Sequence, residues 1–522
     1  MPIRLHIFVN STRHVISSSV FVCRFIAFHL SQFLLHLSYF LAIDLLGFLA
    51  LVLLKPRNPG YRPRYVDMFF MSTSAVTVTG LATIKMEDLS SSQIVVLTLL
   101  MLLGSEMFLS LLGLVLESRK PKTHDQDGNR VRSITVCDES NLEEANAAVA
   151  PSTDLNDQRK SCLRCLGLVV LAYMAMILVL GSLLVFLYVA HDPSARDVLK
   201  RKSIDIALFS VSVTVSSFTN GGLLPTNESM AVFAANRGLL LLLTGQILAG
   251  STLFPVFLRL VICAMRGLAR AFTRRGSEEL EFTVKNAMAA GFTHLLPGLQ
   301  TAFLAATVVV VAAAAATFLC CLNWDSAVLG GLTAGQKITN ALFMAVNVRQ
   351  AGENSVDCSL VAPAVLVLFI AMMCIPASAT FFSVHDDGGG GERSGAERKG
   401  GTKKRRLSLN SMLWSPLACN AAVTMLVCVT ERRSLSSDPL NFSTFNMIFE
   451  VISAYGNVGL STGYSCSRLL RPEEASVCHD QPYSFSGWWS DQGKLVLVLV
   501  MLCGRLKGFR RQQLRSGSKP TP

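Results

Sequence analysis

Residues Ser72–Glu87 read STSAVTVTGLATIKME, and this stretch decides the fold. It is polar and too short to cross a bilayer, and its β-branched run Thr77–Thr79 is ended by a glycine. Apolar segments lie on either side, Phe33–Leu54 and Ile94–Leu116, each close to the roughly 20 residues that a spanning helix needs. Polar extended backbone at membrane depth is tolerated only where it is buried in protein or lines a water-filled cavity. The stretch is therefore predicted to line a pore, after a short helix over Tyr65–Ser74.

The composition indicates a polytopic membrane protein. The 522 residues are 51% hydrophobic and only 16% charged, with a mean hydropathy of +0.46, and a soluble core cannot hide so much apolar surface. The net charge of +12 comes from basic residues in the loops between apolar segments, which the positive-inside bias explains without a nucleic-acid partner. The 14 cysteines and nine histidines show no metal or catalytic-triad spacing. An embedded enzyme is therefore not indicated.

One unit, consisting of an apolar segment, a polar loop and a second apolar segment, occurs four times. The four repeats are residues 33–116, 164–264, 297–383 and 412–506. The segments outside them carry several lysine or arginine residues each, and the positive-inside bias, which counts these residues and not net charge, assigns all of them to the cytoplasm. They are the arm 1–32, the loops 117–163 and 265–296, the Gly-rich basic loop 384–411 and the tail 507–522. The fold class predicted is all-α, with eight spanning helices and four re-entrant loops around one pseudo-fourfold pore.

Each loop carries a glycine in the same register, which a purely structural membrane scaffold would not require. These four loop glycines, with the two residues before each, are Val78-Thr79-Gly80, Asn220-Gly221-Gly222, Gln350-Ala351-Gly352 and Asn457-Val458-Gly459. A dehydrated monovalent cation needs a ring of oxygen ligands, and backbone carbonyls supply one without a full charge that would trap the ion. Glycine permits the close approach, because it has no Cβ. The loops are therefore predicted to form a selectivity filter of carbonyls alone.

Charged and cysteine residues follow the loops. The acids are Glu87, Asp88, Glu228 and Asp357, with Glu353 directly after the third glycine. An acidic ring at the outer mouth would concentrate cations, whereas each acid taken singly fits an ordinary solvated loop equally well. The positive charge of Lys85 would counteract the attraction of cations by such a ring. Cys466 and Cys478 fall in the outer loop of the fourth repeat, where an oxidising compartment allows a disulfide.

The four loop motifs together resemble a known family. They read TVTGLATIKMEDLSSSQ, SVTVSSFTNGGLLPTNESM, MAVNVRQAGENSVDCS and EVISAYGNVGLSTGYSCSR. The chain is similar over nearly its whole length to the plant HKT transporters of the Trk/Ktr/HKT cation transporter superfamily, in particular to cereal members of the second HKT subfamily. The resemblance implies a multi-pass homodimer in the lipid of the plasma membrane, transporting only potassium and sodium ions and using no cofactor. The tail after Lys507 is unlike the family's usual ending.

The resemblance also implies roles for particular residues. The family's filter positions correspond to the four loop glycines, and the first is serine in members that are mainly sodium-selective. Gly80 at that position implies potassium permeation, whether or not sodium is co-transported, and a sodium-selective uniporter is the alternative. A positive residue below the filter corresponds to Arg505, which implies a barrier to cation passage and a pairing with an acid from another repeat. An arginine at the cytoplasmic interface is the alternative.

Overall fold

The computed structural model describes residues 33–58, 60, 62–119, 152–272, 298–349, 351–374, 416–466 and 483–517. Within these ranges the chain is helical and forms no strand, which confirms the predicted all-α class. The helices are α1 Phe33–Leu53, α2 Tyr65–Val76, α3 Ser91–Gly104, α4 Glu106–Arg119, α5 Ser152–His191, α6 Pro193–Arg201, α7 Ile206–Thr219, α8 Arg237–Ile247, α9 Phe254–Phe272, α10 Gly298–Asn323, α11 Ala334–Asn347, α12 Pro363–Cys374, α13 Pro416–Thr430, α14 Arg432–Ser437, α15 Thr444–Gly456 and α16 Asp491–Gly517.

Three helices are long and apolar enough to cross a membrane: α1, the Lys160–His191 part of α5, and α10. Two further candidate spans are bent pairs, because α3 meets α4 at 57° and the helix that continues α8 to Gly250 meets α9 at 86°. The described ranges thus contain up to five candidate spans by length and composition. The prediction of eight spans stays a prediction, since α12 and α13 are shorter and border undescribed residues.

The outward faces of the long helices are apolar. Leu53 in α1, Val179 in α5 and Val309 in α10 are 72%, 70% and 63% exposed. A soluble monomer rarely exposes continuous apolar surface of this kind, whereas the hydrocarbon core of a bilayer solvates it. The exposure pattern therefore agrees with helices that face lipid.

Four short helices, α2, α7, α11 and α15, converge inside the protein, and we call them the pore helices. Each one packs against the second long segment of the preceding repeat. These contacts join α2 to α16, α7 to α3, α11 to α8 and α15 to α12. Because the first repeat contacts the fourth, the four repeats close into a ring.

The sequence determines where the pore helices begin. Asp205 and Ser443 each accept a backbone N–H three residues further on, and Thr333 forms a capping box with Gln336. Such caps satisfy amides that have no partner within the helix. Three pore helices therefore start at local signals, whereas α2 begins after Arg64 without a side-chain cap.

An acid inside α1 holds the first pore helix in place. Asp44 is 1% exposed. Its carboxylate accepts the Thr73 hydroxyl at 2.7 Å, and its backbone carbonyl accepts the Ser72 hydroxyl at 2.8 Å. A buried acid requires such hydrogen bonds, and here they fasten α2 to the spanning helix α1.

Two apolar segments that are each long enough for a single span are broken. Ile94–Leu116 is interrupted at Ser105, and Leu239–Ala264 passes through a π-helical turn at Leu248–Thr252. Inside that turn Gly250 leaves the helical region, with φ −65° and ψ −136°. Hydropathy does not reveal such breaks, because the residues on both sides remain apolar.

Candidate selectivity filter

All four loop glycines adopt the left-handed backbone region. Their φ angles are +89° at Gly80, +71° at Gly222, +63° at Gly352 and +92° at Gly459. Residues with a Cβ adopt this region only at a cost in free energy. The recurrence of glycine that is visible in the sequence therefore has a backbone cause in every repeat.

The first two loop glycines lie against carbonyl groups of the following repeat. A Cβ added to Gly80 would lie 2.8 Å from the carbonyl oxygen of Gly221, which belongs to the second loop. One added to Gly222 would lie 2.7 Å from the carbonyl oxygen of Ala351, in the third loop. Both distances are shorter than an ordinary van der Waals contact, which begins at 3.4 Å.

The other two loop glycines complete the same pattern. A Cβ on Gly352 would come closer still to the carbonyl oxygen of Val458, and one on Gly459 to that of Thr79 in the first loop. Each glycine thus contacts the residue that precedes the glycine of the next repeat, and the fourth repeat returns to the first. The arrangement is a closed ring of four carbonyl groups.

The residues two positions before the glycines share a second conformation. Val78, Asn220 and Asn457 have φ angles of +56°, +62° and +53°. Asn tolerates this region, but Val is β-branched and rarely adopts it. The strain at Val78 is about 1–2 kcal/mol, and such strain persists only where the surroundings determine the conformation. Gln350, the equivalent in the third repeat, lies outside the described residues.

Side-chain hydrogen bonds hold the fourth loop within its own repeat and to the first repeat. The Asn457 amide donates to the Thr79 hydroxyl at 2.8 Å and to the Met501 carbonyl at 3.0 Å. The backbone N–H of Gly459 donates to the Ser453 hydroxyl at 3.1 Å. These hydrogen bonds hold the loops through side chains, while each carbonyl oxygen of the ring lies against a glycine of the neighbouring loop.

Glu353 lies among the buried groups that hold the loops in place. It does not lie at the outer mouth, where the sequence had placed it. Its carboxylate is fully buried and accepts the Ser217 hydroxyl of α7 at 2.9 Å and 3.1 Å. Its backbone N–H donates to the Asn347 side chain at 3.2 Å. The acid therefore joins the third loop to the second pore helix.

Two of the four predicted mouth acids share one lysine. The Lys202 ammonium lies 2.7 Å from a carboxylate oxygen of Glu87 and 2.5 Å from one of Glu228. Burial by itself lowers the pKa of Lys202, but hydrogen bonds and charge from the two carboxylates outweigh burial and raise this pKa above its usual value. The sequence analysis missed Lys202, because it precedes α7 and is distant from Glu87 along the chain.

The remaining predicted outer residues have separate places. Asp357 accepts the backbone N–H of Ser359 at 2.8 Å and caps a short 3₁₀ turn. Asp88 lines a cavity of about 460 Å³ together with Lys85. Cys466 is disulfide-bonded, but Cys478 lies outside the described residues, so their pairing stays a prediction.

Arg505 lies in α16 and reaches the first repeat. Its Nη2 donates to the Gly104 carbonyl at 2.5 Å, and its Nη1 lies 3.5 Å from a carboxylate oxygen of Glu106. Both partners lie at the bend between α3 and α4, where the last carbonyls of α3 have no partner within the helix. The arginine thus contacts an acid of another repeat, and its effect on cation passage stays a prediction.

Further glycines, not recognised in the sequence, pack behind the ring. Gly104, Gly250 and Gly504 lie in the second apolar segments of three repeats, and a Cβ on any of them would strike a pore-helix carbonyl. The residues that carry these carbonyls are Val76, Phe218 and Tyr455. Each stands four positions before a loop glycine. A recurring Leu-X-Gly pattern, reading LLG, LAG and LCG, marks these glycines in the sequence.

Long apolar helices around four buried pore helices, with the backbones of the four loops in cyclic contact, define a polytopic membrane protein with pore-loop repeats. The TrkH family, whose description is "Cation transport protein", matches residues 135–385 and 404–520. The chain belongs to the TrkH family of cation transport proteins, and it is therefore a transporter and not an enzyme.

Two sequence relatives agree with this assignment and with the resemblance to plant HKT transporters. The chain is 66% identical over 506 residues to "Cation transporter HKT2;4" of Oryza sativa subsp. japonica, which covers 97% of this chain and 98% of that protein. It is 38% identical over 479 residues to "Sodium transporter HKT1" of Arabidopsis thaliana, which covers 90% and 91%. The crystal structure of the potassium transporter TrkH from Vibrio parahaemolyticus aligns with a TM-score of 0.47 at 16% identity, over 92% of this chain and 84% of that one.

Proposed function

We propose that the protein carries potassium and sodium ions across the plasma membrane through a filter of backbone carbonyls. The observation that carries this proposal is the cyclic contact of each loop glycine with the carbonyl before the next one. Such carbonyls replace the hydration shell of a monovalent cation. The filter is formed by Gly80, Gly222, Gly352 and Gly459 together with Val78, Thr79, Asn220, Gly221, Gln350, Ala351, Asn457 and Val458.

Potassium permeation is supported by the geometry at Gly80. A serine there would place its Cβ 2.8 Å from the Gly221 oxygen and 2.9 Å from the Gly222 Cα, and both are backbone atoms. Neither can rotate away, so the carbonyl of the second loop would move. Four glycines allow a more symmetric ring, whereas a sodium-selective uniporter of the same fold is the alternative.

The orientation and assembly are part of the same proposal. The segments 1–32, 117–163, 265–296, 384–411 and 507–522, with their lysines and arginines, lie in the cytoplasm by the positive-inside bias. The loops of the repeats 33–116, 164–264, 297–383 and 412–506 then open from the outside. The protein is a homodimer, as its family resemblance implies, and its apolar helices α1, α5 and α10 contact lipid.

The test compares Gly80→Ser with a matched control, Gly331→Ser. Gly331 has a similar φ of +74°, but a Cβ there would meet nothing within 4 Å, so the control reproduces the backbone strain without the crowding. Reversal potentials are recorded in oocytes in potassium, sodium and mixed baths. The wild type and Gly331→Ser should respond to both ions, and Gly80→Ser should shift towards sodium.

Three outcomes would contradict parts of this proposal. A wild type that responds to sodium alone favours the sodium uniporter. An unchanged reversal potential in Gly80→Ser removes Gly80 from the filter. The absence of any cation current, with the protein present at the cell surface, refutes the carbonyl filter as the transport path.

A further inference from the structure

Lys202 joins the outer loops of the first two repeats through a shared ion pair. Its ammonium contacts Glu87 at 2.7 Å and Glu228 at 2.5 Å. Glu87 follows Gly80 by seven residues, and Glu228 follows Gly222 by six. The two carboxylates thus come from nearly equivalent positions, just after neighbouring loop glycines.

Backbone contacts fix this cluster independently of the lysine. The Glu87 N–H donates to the Asn227 side-chain oxygen at 3.1 Å, and the Asn227 N–H donates to the Glu87 carboxylate at 3.2 Å. Arg57 donates to the carbonyl of Ser203 at 2.9 Å, next to Lys202. The Glu87 carboxylate is therefore held in place from repeat 2, and a positive charge lies between it and Glu228.

Without the lysine, the same oxygens would suit a different ligand. Hard divalent cations such as calcium and magnesium are bound by carboxylate and carbonyl oxygens. The ammonium occupies that position and reduces the charge of the cluster from −2 to −1. A single remaining negative charge still attracts monovalent cations, and it leaves no pair of free carboxylates.

We propose that Lys202 is a tethered cation that excludes external divalent cations from the outer mouth and so determines which ions reach the filter. It is a specificity-determining residue, and this role rests on the proposed function of the loops. Lys202 makes both contacts with a side chain that is only 17% exposed. A side chain this buried makes a more persistent ion pair than an exposed surface lysine does.

The experiment records inward potassium and sodium currents in oocytes while external calcium or magnesium is raised. In Lys202→Gln, the divalent concentration that halves the current should fall by about tenfold or more, because two carboxylates become free. Lys202→Arg keeps the charge and should behave as the wild type does. Lys200→Gln is the matched control, since it removes the same charge from an exposed position in α6.

A second set of variants ties the effect to the two acids. Adding Glu87→Gln and Glu228→Gln to Lys202→Gln should remove the new divalent inhibition. Glu87→Gln with Glu228→Gln alone leaves Lys202 unopposed, and should lower current at low external potassium. The proposal is overturned if Lys202→Gln at the cell surface keeps the wild-type divalent response, or if the triple variant is still inhibited. Reversal potentials without divalent cations test the filter separately in the same cells.

Discussion

Replacing Gly104 with alanine should disturb the filter from behind. Gly104 is the last residue of α3. The position that a Cβ would take at Gly104 lies against the carbonyl group of Val76, the last residue of the pore helix α2. The loop glycine Gly80 follows four residues later. A methyl group at position 104 therefore presses on the backbone that leads directly into the first loop.

The size of the disturbance follows from the contact distances. An added Cβ would lie 2.7 Å from the Val76 carbonyl carbon, where an ordinary contact begins at 3.4 Å. The Val76 carbonyl oxygen lies closer still, so the backbones would have to separate by more than about 0.7 Å, the difference between these two distances, and no side-chain rotation can relieve the overlap. Overpacking of this kind costs about 1–3 kcal/mol. Part of that displacement reaches the carbonyls of the ring.

The matched control is Gly113→Ala in α4, where a Cβ would meet nothing within 4 Å. Alanine there should be neutral or stabilising, because glycine costs about 1 kcal/mol relative to alanine inside a helix. Thermal unfolding of the purified protein and potassium–sodium reversal potentials are measured for both variants. Gly104→Ala should unfold at lower temperature and lose discrimination between the two ions. Wild-type stability and permeability in Gly104→Ala would refute the reasoning.

Two predictions concern charges outside the ring. Lys494 is 1% exposed and its ammonium lies 2.7 Å from a carboxylate oxygen of Asp67. Lys494→Met should destabilise the protein, by less than the roughly 3–5 kcal/mol of a fully unpaired buried charge, because Asp67 keeps Arg64 at 3.1 Å. A melting scan checks this, and no recovery in Lys494→Met with Asp67→Leu would contradict it. Burial alone raises the pKa of Asp192, but hydrogen bonds, among them one from Asn236 at 2.8 Å, lower it below its usual value. Its stabilisation is therefore present above the unfolded-state pKa and lost as pH falls through the folded-state pKa. Asp192→Asn should weaken the acid-induced fall in melting temperature, and an unchanged pH profile would contradict this.

Local features made several elements predictable. The pore helix was predicted at Tyr65–Ser74 and is observed at Tyr65–Val76. The four loop glycines were found because a positive φ excludes most other residues at each of those positions. Such requirements act within a few residues of the chain, so a single sequence displays them.

Partners distant along the chain were not predictable in the same way. The acids Glu87 and Glu228 were identified from the sequence, but not the lysine between them. Glu353 was assigned to the mouth and is buried, because its hydrogen-bond partner Ser217 comes from another repeat. The break at Gly250 was missed, since hydropathy does not report a close approach to a carbonyl of another helix.

The sequence by itself therefore determined the membrane class, the four repeats and the positions of the loop glycines. These depend on apolar segment length, composition and local backbone freedom, all of which are properties of consecutive residues. Only the tertiary structure decided which charges are paired and which glycines support the ring. Ion pairs and close packing depend on distances between segments, and the folded chain sets those distances when its four repeats close into a ring.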